Sequence, residues 1–267
     1  MSEVFGFDAF APAEIARRVE NVGVVKARLP LLSMILLGVL AGVFIGLGAL
    51  FFLVVKSDVG LGFAASQVLG GLCFSLGLVL VVVAGAELFT GNNLLAMAWA
   101  DQKISTGELL KNWGVVCVSN FVGAAGLAIL VYLSGHTGMN GSAIADKAVE
   151  IAIAKCNLSW SEAFFRGVLC NLLVCMAVWM ALAGRSVIDK VVVIVFPITA
   201  FVAAGFEHSI ANMYFIPLGM LLAPDAGITW AGFFHNLVPV IAGNLVGGSV
   251  MVALVYRLIY RRPSADD

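Results

Sequence analysis

Charge is what this chain is short of. Only 12% of its 267 residues are Asp, Glu, Lys or Arg, where a soluble domain carries about 25%. The net charge of -1 leaves no electrostatic case for nucleic acid. Cysteine is sparse and scattered: Cys73, Cys117, Cys170 and Cys175 lie in apolar runs and Cys156 stands alone. No CxxC pair occurs, so no disulfide framework, metal site or cofactor is expected. An early apolar core is missing too. The N-terminal segment carries Arg17, Arg18, Lys26 and Arg28, which argues against a cleavable signal peptide.

Apolar residues fill the space, at 61% of the chain with a mean hydropathy of +1.04. A membrane-spanning helix needs about 20 such residues. Six runs qualify, at roughly 30–55, 62–100, 109–133, 161–183, 189–222 and 227–257. The second and fifth are too long for single plain helices. Each contains one copy of a motif that occurs twice. Ala84-Gly85-Ala86-Glu87-Leu88-Phe89-Thr90-Gly91-Asn92 returns as Ala204-Gly205-Phe206-Glu207-His208-Ser209-Ile210-Ala211-Asn212. Ala, Gly, Glu and Asn coincide. A carboxylate, amides and a glycine inside an apolar run are costly in a bilayer unless buried in protein or lining a cavity. Both long helices are therefore expected to break at these motifs, near the membrane midplane.

The duplication extends further. Asn120-Phe121-Val122-Gly123 pairs with Asn244-Leu245-Val246-Gly247, and Gly38-Val39-Leu40 with Gly167-Val168-Leu169. Three helices per copy is an odd number, so the second copy must enter from the opposite face. The expected fold is an all-α membrane protein with six transmembrane helices in an inverted 3+3 repeat, helices 2 and 5 broken. Repeat 1 covers about 29–133 and repeat 2 about 161–262 of a channel domain at 29–262. With the N-terminal side taken as inside, Arg17, Arg18, Lys26, Arg28, Lys103, Lys111, Arg185, Lys190, Arg257, Arg261 and Arg262 lie inside, and Lys56, Lys147 and Lys155 outside. This bias predicts that both termini are cytoplasmic. Residues 1–28 read as a cytoplasmic amphipathic helix, with Pro12 in its first turn and Ile15, Val19 and Val22 on one face. Residues 134–160 read as the longest polar link, and 263–267 as a disordered tail.

His208 is the sharpest chemical candidate. It is the only histidine at a predicted break, where it could lend a proton transiently to a passing anion. The bland alternative is a histidine that fixes the loop by hydrogen bonds. Glu87 and Glu207, with Asn92 and Asn212, occur in both copies and read as loop braces, the carboxylates accepting backbone N–H bonds from the neighbouring half-helix. Thr90 could meet His208 or a substrate oxygen, or bond its own backbone. Phe74, Leu78, Leu88 and Phe201, taken alone, are core residues. Lys155 could concentrate anions at an outer vestibule, or be an ordinary loop lysine.

These motifs resemble the formate/nitrite transporter family. Ala84 to Gly91 is similar to its first signature, Gly167-Val168-Leu169-Cys170-Asn171-Leu172-Leu173-Val174-Cys175-Met176-Ala177-Val178-Trp179-Met180 to its second, and Gly205 to Met213 to the segment holding its pore histidine. The resemblance covers about residues 12–262. It implies a homopentamer of aquaporin-like protomers in a bacterial inner membrane, each passing small monovalent anions: formate, nitrite, hydrosulfide, and in some members acetate or lactate. It implies that His208 is the central pore histidine, that Thr90 and Asn171 are the signature threonine and asparagine, and that Lys155 is the vestibule lysine. It turns Phe74 and Phe201 into an outer apolar constriction and Leu78 and Leu88 into one nearer the cytoplasm. Phe74-Ser75-Leu76-Gly77-Leu78 and Phe215-Ile216-Pro217-Leu218-Gly219-Met220 look most like the formate branch, whereas Glu87 with Gly91 is a pairing common in nitrite-type members.

The sequence thus reads as a formate channel, with a nitrite or hydrosulfide channel as the alternative. Two routes are open: passage as the charged anion, or as the neutral acid after taking a proton near His208. A membrane enzyme using His208 and Glu207 would need a nucleophile and base to converge, and no spacing here brings them together.

Overall fold

Two glycines stop two helices. In the computed structural model, which describes residues 9–260, Gly85 (φ 83°) and Gly205 (φ 71°) take the left-handed conformation just past the ends of α4 (Leu76–Ala84) and α9 (Val187–Ala203). A side chain with a Cβ is disfavoured in that conformation, so the motif glycines mark where each helix ends. Beyond them the chain is non-helical, over residues 86–90 in the first loop and 206–208 in the second. The chain then resumes as a 3-10 turn at Gly91–Leu95 leading into α5 (Ala96–Ala100), and as α10 (Ser209–Leu222).

The other elements are helical as well. α1 (Pro12–Ala27) precedes α2 (Leu31–Lys56) and α3 (Phe63–Phe74). α6 (Thr106–Leu133), α7 (Ala143–Cys156) and α8 (Trp160–Ala181) follow α5. The chain closes with α11 (Trp230–Leu245), a π-helical stretch at Val246–Leu254 and α12 (Val255–Tyr260). Ser105, Ser159 and Ser186 begin α6, α8 and α9 as capping boxes with Glu108, Glu162 and Asp189.

Among the described residues, five helical runs are long and apolar enough to cross a membrane: Leu31–Lys56, Phe63–Ala84, Thr106–Leu133, Trp160–Ala181 and Trp230–Tyr260. The run at 189–222, expected to break at its motif, is divided there between α9 and α10, each too short alone. The expected polar link at 134–160 contains α7, whose Ile144, Ala148 and Ala152 recur every four residues and are buried. Residues 1–8 of the N-terminal segment, Arg261, Arg262 and the tail at 263–267 lie outside the described residues. Of the face proposed for α1, Ile15 and Val19 are buried in a cluster with Trp179 and Val252, while Val22 is partly exposed.

Glycine sets the tightest helix pairs. A Cβ on Gly42 of α2 would stand 2.1 Å from the Asn120 carbonyl oxygen of α6, and one on Gly123 would stand 2.0 Å from the Val39 oxygen. Gly243 of α11 and Gly247, just beyond it, meet the Phe164 and Val168 oxygens of α8 at 2.2 Å in the same sense. Backbones this close leave no room for any side chain.

Candidate functional site

The two non-helical loops are held by matching side-chain networks. Glu87 pairs with Lys26 Nζ at 2.9 Å and accepts from Asn92 Nδ2 at 2.7 Å. Asn92 Nδ2 also donates to Asn112 Oδ1, and Asn112 Nδ2 donates to the Lys26 carbonyl. At the other loop, Glu207 receives Lys155 Nζ on both oxygens, at 2.9 and 3.0 Å, and Asn212 Nδ2 at 2.6 Å. Asn212 Nδ2 donates to Asn236 Oδ1, and Asn236 Nδ2 to the Lys155 carbonyl. The carboxylates thus meet side-chain ammonium and amide groups in place of the expected backbone N–H groups. A paired and hydrogen-bonded carboxylate is the form in which such a charge tolerates burial.

His208 joins the loops. Its Nδ1 accepts the Ala211 N–H at 3.2 Å, capping α10, and its Nε2 lies 3.0 Å from Thr90 Oγ1. A nitrogen that accepts a backbone N–H carries no proton itself. The proton of the neutral ring is therefore on Nε2, donated to the Thr90 hydroxyl. The ring stacks on Phe201, with centroids 5.9 Å apart.

Three cavities follow one another through the protomer. The first, of about 120 Å³, is lined by Lys155, Glu207, His208, Phe74 and Phe201 among others. The second is a void of only about 10 Å³ between Phe74, Phe201, Leu78, Leu88 and His208, completed by Ile45, Val174 and Ile198. The third, of about 520 Å³, lies against α1 and touches Leu78, Leu88, Lys26 and Glu87. Phe74 and Phe201, whose rings meet edge-on at 5.7 Å, are shared by the first and second cavities. Leu78 and Leu88 are shared by the second and third. His208 is the only polar side chain lining the central void.

The eight residues singled out for the pathway fall into two groups. His208, Lys155, Phe74, Phe201, Leu78 and Leu88 line cavities. Thr90 and Asn171 are fully buried behind the lining. Thr90 reaches it only through His208, and Asn171 Nδ2 donates to the Thr90 carbonyl, Asn93 Oδ1 and the Asn244 carbonyl. Lys26 went unrecognised as a partner of Glu87. The signal was present: Lys26 and Lys155 have the same sequence separation as Gly38 and Gly167. Ile45, Val174 and Ile198 carried no signal, being three aliphatic residues among many.

With this geometry in hand, three comparisons bear on the chain. The family profile described as Formate/nitrite transporter matches residues 13–258. The chain is 39% identical to "Formate channel FocA" of Escherichia coli (strain K12) over 274 residues, covering 96% of each. Among solved structures it resembles a "Pentameric formate channel with formate bound" with a TM-score of 0.81 at 37% identity, covering 87% of this chain and 98% of the other. It resembles an "FNT family ion channel" with a TM-score of 0.84 at 31% identity, covering 94% and 99%.

Proposed function

The chain belongs to the formate/nitrite transporter family, and from that premise we propose that it is a formate channel, working as a homopentamer in a bacterial inner membrane with both termini cytoplasmic. It is an integral membrane protein of a family of transporters and not of enzymes. The observation that carries the reading is the series of three cavities divided by Phe74 with Phe201 and by Leu78 with Leu88, with His208 facing the void between them. In the proposed topology, five helical runs and the divided α9–α10 pair make six spans. The matching Lys–Glu–Asn–Asn networks at the two loops support an inverted repeat with broken helices 2 and 5.

The residues suit a small anion. Lys155 has three N–H donors, of which Glu207 takes two. The third is left for an arriving carboxylate. A void of about 10 Å³ holds about one water-sized probe, so formate must shed its hydration and displace the slit side chains as it passes. Losing that hydration costs several kcal/mol even after relaxation. Against it, the void offers the His208 Nε2–H, which exchanges the Thr90 hydroxyl for a formate oxygen.

In this reading His208 is a hydrogen-bond donor and not the acid. Handing over a proton requires the doubly protonated ring. Its second proton would sit on Nδ1, where the Ala211 N–H already points. Such protonation would undo the cap of α10.

Uptake of labelled formate, nitrite, hydrosulfide, acetate and lactate into proteoliposomes, at two external pH values, tests the function. Formate flux well above that of empty liposomes is expected. Nitrite or hydrosulfide passing while formate does not would replace the substrate assignment.

A further inference from the structure

The loops that place Leu88 and His208 have no helical hydrogen-bond ladder of their own. Something else must fix where those two side chains stand. At the first loop, Asn120 Oδ1 accepts the Phe89 N–H at 2.9 Å, and Asn120 Nδ2 donates to the Glu87 carbonyl at 2.9 Å. One amide thus grips the peptide groups on either side of Leu88. At the second loop, Asn244 Oδ1 accepts the Ser209 N–H at 3.0 Å, and Asn244 Nδ2 donates to the Glu207 carbonyl at 3.1 Å. Those are the peptide groups on either side of His208. Each amide spends its second N–H on a helix: Asn120 on the Gly38 carbonyl of α2 at 2.7 Å, and Asn244 on the Gly167 carbonyl of α8 at 2.8 Å.

We infer that Asn120 and Asn244 are positioning residues of the pathway, Asn120 fixing Leu88 in its slit and Asn244 fixing His208 in the central void. Both side chains are fully buried, and their partners allow only one amide orientation. A flipped amide would set NH₂ against an N–H and oxygen against two carbonyls. No other side chain of this size offers one acceptor and two donors. Asp keeps the acceptor and loses both donors, and Ser offers a single donor. The grip is anchored where the helices lie closest together. Asn120 belongs to the α2–α6 pair and Asn244 to the α8–α11 pair, where glycines bring the backbones so near that an added Cβ would stand only 2.0–2.2 Å from a carbonyl oxygen of the facing helix. The two copies of one device therefore govern different properties, because one holds an aliphatic gate and the other an imidazole.

This assignment rests on the channel reading, and the test separates the two. Formate and lactate fluxes are measured in proteoliposomes holding assembled pentamers of wild type, Asn120→Ala, Asn244→Ala, Leu88→Ala, His208→Asn, and the doubles Asn120→Ala/Leu88→Ala and Asn244→Ala/His208→Asn. Asn120→Ala is expected to raise the lactate-to-formate ratio about five-fold or more, and to raise it little further in Leu88→Ala, since residues acting through one another are non-additive. Asn244→Ala is expected to leave that ratio within about two-fold of wild type, to lower formate flux as His208→Asn does, and to add little to it. Equal flux losses in both alanine variants with an unchanged ratio, or additive effects in both doubles, would overturn the assignment. If alanine prevents assembly, Asn120→Asp and Asn244→Asp keep size and acceptor and are measured in its place. Failure of these to assemble would also overturn it, leaving general scaffolding. Wild-type vesicles passing no formate would remove the channel reading and this assignment together; a conducting wild type with uncoupled variants removes the assignment alone.

Discussion

Lys155 binds Glu207 through both carboxylate oxygens, at 2.9 and 3.0 Å, with side-chain exposures of only 14% and 6%. The equivalent cation at the other loop, Lys26, is 28% exposed and meets Glu87 at 2.9 Å. Removing one member of a buried ion pair strands the other charge, at a cost of about 3–5 kcal/mol. Lys155→Met is therefore expected to lower the melting temperature of the purified pentamer more than Lys26→Met does. Lys155→Met/Glu207→Gln should recover part of the loss. Equal melting temperatures for the two single variants would show that the difference in burial carries no energetic weight.

Much of this was legible in the sequence, for physical reasons. Glu87 and Glu207 stand out because a carboxylate inside an apolar run is costly and needs a reason. Gly85 and Gly205 belong to the two motifs at which breaks are expected, and both take the left-handed backbone that favours glycine. The cations paired with those carboxylates left only a faint trace, the shared spacing of Lys26 and Lys155 with the repeat. Lys26 lies far from Glu87 in sequence, and only the fold brings the two together. The same holds for the grip of Asn244 on the peptides around His208. The repeat exposed Asn120 and Asn244 as a pair, but no spacing said what they hold. In sequence α7 reads as polar link because its buried face is short and made largely of alanine.

The slits should respond by size. Phe74 and Phe201 separate the first two cavities, and Leu78 and Leu88 the last two. Phe74→Ala or Leu78→Ala is expected to raise lactate flux relative to formate, with assembly kept. Truncating a buried Phe or Leu costs about 2–5 kcal/mol in a closed core, so retained melting temperatures would themselves mark these residues as cavity walls. Unchanged size selectivity in both variants would return them to ordinary packing.

Glycines that look alike in sequence should differ sharply on substitution. A Cβ on Gly42 would stand 2.1 Å from the Asn120 carbonyl oxygen, whereas one on Gly126 meets nothing within 4 Å. Gly42→Ala is expected to abolish or severely reduce recovery of folded pentamer, because α2 and α6 must part. Gly126→Ala should be neutral or stabilising by up to about 1 kcal/mol through helix propensity. Size-exclusion profiles and melting curves of the two variants decide it.

Both chain ends are expected on the cytoplasmic face, from the bias of Lys and Arg along the chain. α1 packs against α12, which already places the two terminal helices together. In a background without native cysteines, Ser264→Cys should resist a membrane-impermeant thiol reagent in intact spheroplasts and react after lysis. Reaction before lysis would invert the orientation.

His208→Asn separates the two roles open to the imidazole. Asparagine is among the best helix N-caps, and its Oδ1 can take over the Ala211 N–H that Nδ1 now accepts. The variant is therefore expected to assemble. It loses the Nε2–H donor in the central void, so formate flux should fall. It also loses the only titratable group lining that void. With His208 acting as a neutral donor, whatever pH response the wild type shows should survive in the variant, scaled down but unchanged in shape. With His208 acting as the acid, the response should flatten, because a neutral-acid route through the ring would be closed while passage of the anion could persist. The measurement is formate uptake by matched pentamers across a range of external pH, normalised to each variant's maximum. A flattened profile in an assembled His208→Asn pentamer would overturn the donor reading. It would mean that the Ala211 N–H yields Nδ1 during transport, and that the cap of α10 opens with each proton carried.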